Sequence, residues 1–210
     1  MSAFEHQGSV KRRSWRPRFS LWRRLRRSKD GAAAIEFAIL AVPYFIIIFA
    51  ILETFAAYIA EQLVTNAVNT MARELRTGNI TYKLGRSTDM NTAEAFRAAF
   101  CDEISIMIAC SASEISTPQK LYLDVETLSS FGAIADKVGI PRIGGDYSDL
   151  DTSAFHYSPG GPDTINLLRA YYRWDITFDL IRSITHIRPD SQTQQFLIIA
   201  TTAFRNEDYP

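Results

Sequence analysis

The chain has 210 residues, with 23 Lys/Arg, 23 Asp/Glu and a formal net charge of zero. That neutrality hides a polarity: residues 1–30 carry ten Lys/Arg against Glu5 and Asp30, a balance of +8, and the rest of the chain carries −8. Composition and motifs exclude the common enzyme and metal classes, since three histidines and two cysteines offer no HExxH or other metal-ligand spacing, and no GxSxG, P-loop or GxGxxG is present.

The basic leader ends at Gly31, and from Ala32 to Leu52 the only charged side chain is Glu36. As a helix this run is about 31 Å long, the thickness of a bilayer core. It is too long for the apolar region of a secretory signal and has no small-residue cleavage site at its far end, so it is expected to remain as an anchor. The positive-inside rule then places the N-terminus in the cytoplasm and everything after the span outside it. Trp15, Phe19 and Trp22 fall at i, i+4 and i+7 among arginines, which suits a helix on an anionic lipid surface. A nucleic-acid arm is the competing reading of the same charges. The lipid reading is favoured because a span follows directly.

Beyond Thr54 the pattern becomes Leu63, Val64, Ala67, Val68, Met71, Ala72 and Leu75, with polar residues between them. This is the period of an amphipathic helix. Arg73 and Arg76 in the last turn and Gly78-Asn79 beyond are C-terminal signals, so one helix is expected from about Ala33 to Thr77. Pro43 removes the hydrogen bond to the Ile39 carbonyl, either as an ordinary membrane proline or as a hinge. The boundaries expected are a cytoplasmic leader 1–31, a transmembrane helix 32–60, an amphipathic stalk 61–78, and a periplasmic domain 79–210. The roughly 130 residues after Gly78 suffice for one small core and not for two.

A second helix is expected from Asn91, with Asn91 capping and Glu94 reaching back, and Phe96, Phe100, Ile104, Met107 and Ile108 forming its stripe. Cys101 and Cys110 then follow. An unbroken helix would hold them about 13.5 Å apart, beyond the reach of about 7 Å that a disulfide allows. A bridge between them requires the helix to end near Met107. An oxidising compartment favours that bridge over two free thiols.

After Pro118 the period changes. Leu121, Leu123 and Val125 alternate with Tyr122, Asp124 and Glu126, as in a half-buried strand. A long Gly- and Pro-rich surface loop spans Gly139 to Pro162, and its Asp146, Asp149 and Asp151 lack the order of a calcium loop. Tyr172, Trp174, Ile176, Phe178 and Leu180 alternate with polar residues as the clearest strand. Phe196 to Phe204 is apolar on both faces and reads as a central strand. Helices followed by strands imply an α+β fold, with a small antiparallel sheet packed on the stalk helix.

Glu36 has two readings. It is either an edge carboxylate reaching the headgroups, or the fifth residue after a cut behind Gly31. In the second case the freed Ala32 ammonium lies about 6 Å along the helix, and a neighbour's ammonium could pair with Glu36 in a low-dielectric fibre core.

The order of basic leader, Gly31, three alanines, Ile35, Glu36 and Phe37 resembles the processing site of type IV pilins and pseudopilins. The segment DGAAAIEFAILAVPYF resembles the TadE-like family, pseudopilins of the Tad/Flp tight-adherence pilus system. FRAAFCDEISIMIAC, LYLDV, PGGPDTINLLRAYYRW and ATTAFRNEDY are similar to it as well, although the usual proline after Asn-Glu is Asp208 here and Phe37 stands where processed Tad pilins often have tyrosine. No D-x-S-x-S motif of the related TadG proteins is present.

The resemblance implies a pilin-like, non-enzymatic component of the bacterial inner membrane with a periplasmic domain, in a pilus or type II/IV secretion-like assembly. Its processing site would comprise Gly31, Ala32, Glu36 and Phe37, and its disulfide Cys101 and Cys110. It implies membrane lipid, pilin, TadF- and TadG-like pseudopilins, a prepilin peptidase and an inner-membrane platform as partners. No cofactor, metal or small-molecule substrate is expected, and no nucleic acid. Two other classes remain open: a tethered periplasmic enzyme built from His156, His186 and Asp175, and an uncleaved anchor unrelated to pili.

Overall fold

The computed structural model describes residues 29–137, 139–144, 148–176 and 195–209. Contacts divide the chain into two units, Met1–Ile48 and Phe49–Pro210. In the first unit, helix α1 (Lys29–Arg76) begins four residues before the expected start. Its side chains from Ile35 to Ile47 are largely exposed apolar groups. Among the described residues this is the one helix long and apolar enough to cross a membrane.

The second unit is built around the other end of the same helix. Val64, Ala67, Val68, Met71, Ala72 and Leu75 of the expected row are buried in the main core, together with Ala60, and Leu63 packs at its margin. The helix ends at Arg76, and Gly78 just beyond it has a φ of +75°, in the left-handed region that a Cβ disfavours. A Cβ there would also lie 2.6 Å from the Tyr209 ring. The C-terminal segment therefore closes the helix end: the Glu207 amide donates to the Arg76 carbonyl at 2.9 Å. Asn206 Nδ2 donates to the Gly160 and Gly161 carbonyls and lies 3.0 Å from the Tyr209 hydroxyl.

Helix α2 spans Ala93–Ile104 and is capped by Thr92, whose side chain accepts from the Ala95 amide. Asn91 was expected in that role. Its carboxamide oxygen instead accepts from the Lys83 amide at 2.9 Å, which moves the cap on by one residue. Phe96, Phe100 and Ile104 are buried as expected and Ile108 is buried just past the helix, whereas Met107 is exposed. After α2 the chain turns into the short helix α3 (Ala112–Ser116). Glu114 then accepts hydrogen bonds from the amides of Gln119, Lys120 and Leu121, which aims the chain into the sheet.

The sheet comprises β1 (Leu121–Leu128), β2 (Tyr157–Ser158), β3 (Ile165–Asp175) and β4 (Gln195–Arg205), in the order β2-β1-β3-β4. The three long strands pair antiparallel. The two-residue β2 runs parallel to β1, so the α+β sheet is mixed rather than wholly antiparallel. Two sequence readings are corrected here. The strand read from Tyr172 onward begins at Ile165 and ends at Asp175; Phe178 and Leu180 lie outside the described residues.

β4, read as central, is an edge of the described sheet. Its two-sided apolarity has another cause. One face, with Phe196, Ile198 and Ala200, meets the helices. On the other face Leu197 and Ile199 join Leu150, Phe155 and Tyr171 in a second small core. The Gly/Pro-rich loop thus covers the far face, with Phe155 stacked on Tyr171 at 5.0 Å.

Candidate functional site

Gly31, Ala32, Glu36 and Phe37 lie in the first three turns of α1. Ala32 and Glu36 are i and i+4, stacked on one helix face. Both are exposed, and Phe37 is 70% exposed. The Gly31–Ala32 bond is therefore helical. A helix's first turn has amide groups without intrahelical acceptors, so it is the easiest part of α1 to unwind into an extended form. The exposed carboxylate of Glu36 stands among Ile35, Phe37, Ile39 and Leu40, all more than half exposed. An anionic group in an apolar surface recruits a cation strongly once water is excluded.

Cys101 lies in α2, and Cys110 follows the turn after it. The two are joined in a disulfide with Cα atoms 5.9 Å apart. The geometry follows from the early end of α2 at Ile104, where the amides of Met107 and Ile108 both return to the Ile104 carbonyl. The bridge ties the buried face of α2 to the segment that carries Arg97's partner, the Ile115 carbonyl.

A charged cluster that the sequence reading left on a solvated face lies buried on the far side of the sheet. Asp124 and Arg169 are direct cross-strand partners, 1% and 8% exposed. Arg169 donates to Asp124 through Nε at 3.1 Å and through its terminal nitrogen, and to the Lys137 carbonyl at 2.9 Å. Asp124 also accepts from the His156 amide at 3.1 Å, and Lys137 pairs with Glu126 at 2.9 Å. These contacts pin the covering loop to the strands. The available signal was the arginine at the centre of INLLRAYYRW, an expensive residue for a buried strand unless an acid faces it.

The remaining candidates do not assemble. Asp149 is held by Arg173 at 2.8 Å and Asp151 by the Ser153 hydroxyl and amide, while Asp146 lies outside the described residues. Among the described residues no group of His, Cys, Asp and Glu is arranged to hold a metal. His156 sits beside Asp124, opposite Arg169, whereas Asp175 lies six positions farther along β3 and pairs with Lys120 and Gln195. Six strand residues span about 20 Å, so these two are not brought together. His6 and His186 lie outside the described residues.

In comparison with known proteins, residues 31–73 fit the model of the family described as TadE-like protein. The matched segment falls wholly within α1. Neither a curated protein nor a solved structure matches the chain.

Proposed function

From the TadE-like segment at residues 31–73, we propose that this protein is a membrane-anchored, pseudopilin-like component of a Tad-type pilus assembly. The match implies a structural, pilus-associated role rather than membership of a known enzyme family. A prepilin peptidase cuts after Gly31, and the mature chain keeps α1 as its anchor in the inner membrane. The Cys101–Cys110 bridge forms in the periplasm, where the C-terminal domain lies. Glu36 then pairs with the terminal ammonium of a neighbouring subunit, whether another copy, a pilin or a TadF- or TadG-like partner.

The observation that carries this reading is the place of the family match. It covers the part of α1 where a lone carboxylate stands in an otherwise uncharged apolar run. A carboxylate at the edge of a bilayer core costs less than the roughly 2.5–3.5 kcal/mol it would at the centre, yet still enough to favour a cationic partner. Substituting Glu36→Gln removes the charge and retains the shape. Processing should continue in that variant while pilus output falls. Normal output from Glu36→Gln cells would remove the pairing role.

A further inference from the structure

Beyond the apolar run, α1 turns only one of its sides to the folded domain. At about 100° per residue, the buried Ala60 and Val64 share an arc with Glu53, Ala57 and Glu61, which face Trp174 and Phe196. The opposite arc carries Leu52, Phe55 and Ile59, flanked by Ile51 and Tyr58. All five are more than half exposed, Phe55 at 62% and Ile59 at 51%. Farther along that arc come Gln62, Asn66 and Asn69, also exposed, and its first charge is Arg73. The two sides of the helix therefore leave the apolar run at different heights. Toward the sheet the first charge, Glu53, directly follows Leu52. Away from it, apolar side chains continue to Ile59, about 10 Å farther along the axis.

Exposed apolar surface of this kind marks a contact with lipid or with another protein. Continuity selects lipid, because the strip begins at Leu52, the last residue of the run that is long enough to cross a bilayer. Its aromatic rings, one bearing a phenol, are also the side chains that concentrate at the membrane–water boundary. The heights fix the geometry. An upright helix would raise Ile59 about 10 Å above Leu52, beyond a headgroup layer about 5–8 Å deep. A tilt of about 30° toward the exposed strip shortens that rise to about 9 Å, and it lowers the underside of a helix about 5 Å in radius by a further 2–3 Å or so. Ile59 then lies within the layer. Such a tilt is within the ordinary range of membrane helices.

We propose that α1 leaves the bilayer tilted toward the strip Leu52, Phe55 and Ile59, which rests in the headgroup layer of the leaflet on the domain's side. This inference rests on the membrane-anchored reading above. The partner is the lipid surface itself: Leu52 and Phe55 reach the upper acyl methylenes, and Tyr58 and Ile59 lie among the headgroups. The folded domain, packed on the opposite arc, is carried on the upper side of the slanted helix. Glu53 and Glu61 are on that upper side, so the tilt immerses the uncharged arc and keeps both carboxylates out of the lipid.

The test uses the full chain with one added cysteine at a time, because Cys101 and Cys110 are joined to each other and the chain has no other cysteine. A nitroxide label is attached to Ile47→Cys, Ile59→Cys or Asn66→Cys in vesicles of phosphatidylethanolamine and phosphatidylglycerol. Its collisions with oxygen, which concentrates in lipid, and with a water-soluble nickel chelate are then measured by electron paramagnetic resonance. At Ile59 the nickel collision rate should be several-fold below that at Asn66, with oxygen access retained. Nickel access at Ile59 equal to that at Asn66 would mean that the strip stands in water, and would overturn the proposal. Low access to both reagents at Ile59 would also overturn it, assigning the strip to a second protein chain. Ile47, inside the apolar run, separates the two readings. Nickel access there would sink the membrane anchor and the tilt together, whereas Ile47 in lipid with Ile59 in water would sink the tilt alone.

Discussion

Arg169 makes the buried acids of β1 tolerable, because Asp124 and Glu126 lie within its reach in a layer closed from water. Replacing it by alanine leaves two carboxylates buried with one partner fewer. Removal of one member of a buried pair costs about 3–5 kcal/mol, so Arg169→Ala should lower the unfolding midpoint of the detergent-solubilised chain sharply. A midpoint close to wild type would mean that water reaches the cluster. Arg169→Met with Asp124→Leu should recover much of the loss, since an apolar replacement of both partners leaves no charge stranded. Gly78 provides a second residue-scale test. Gly78→Ala meets both the left-handed backbone and the Tyr209 ring, and a Cβ where φ is positive costs more than about 1 kcal/mol. Tyr209→Ala should relieve the ring contact but not the backbone strain, so the double variant should be less destabilised than the two losses added together. Strict additivity would mean that the ring does not rest on Gly78.

At the scale of elements, the bridge between α2 and the following segment closes a short loop, with cysteines nine positions apart. Chain-entropy reasoning assigns such a loop roughly 2–3 kcal/mol. Cys101→Ala with Cys110→Ala should therefore lower stability by about that amount, and full thiol labelling of denatured, non-reduced wild type would show that no bridge forms. The ends of β1 and β3 are clipped by Lys120 and Asp175. Partial burial raises the Asp175 pKa, but the hydrogen bonds from Lys120 and Gln195 outweigh it and the net direction is down. The hydrogen bond to Asp175 holds Lys120 above the ordinary lysine value. A lowered carboxylate pKa contributes stability above its unfolded value that disappears as pH falls through the folded one; a raised lysine contributes below its unfolded value and loses it as pH rises through the folded one. The stability difference between wild type and Lys120→Met should thus be largest between about pH 4 and pH 10. Both partners are about half exposed, so the difference is small. A difference that persists unchanged at pH 2 would assign it to the lysine's methylenes instead.

The elements also show where sequence reasoning succeeds. The helical row from Val64 to Leu75 was legible because a single period runs through it without interruption. The alternation of Leu121, Leu123 and Val125 was legible because one face of β1 meets the helices. The character of Asp124 and Glu126 was not, because burial of that face depends on a loop folding back from residues 130–156, and no local pattern encodes such a cover. The same cover misled the reading of β4, whose second apolar face reflects the loop's small core rather than a neighbouring strand. The start of β3 at Ile165 was missed for a related reason: both of its faces are buried, so the alternation expected of a half-exposed strand is absent.

The whole molecule joins a basic leader, an apolar helix and a folded domain of opposite charge balance. The +8 of residues 1–30 against the −8 of the rest predicts that the C-terminus faces the periplasm. A C-terminal alkaline phosphatase fusion should be active in cells, and an inactive fusion paired with an active cytoplasmic reporter would reverse the orientation. The resemblance at Gly31–Phe37 was legible in the sequence, but whether the Gly31–Ala32 bond is cut depends on a second protein. That bond lies in the first turn of α1, where opening a helix costs least. The mass of the mature N-terminal peptide, measured on protein purified from its native membrane, tests the account most directly. Pseudopilin-like processing predicts a peptide that begins at Ala32, and a peptide that begins at Met1 would contradict it.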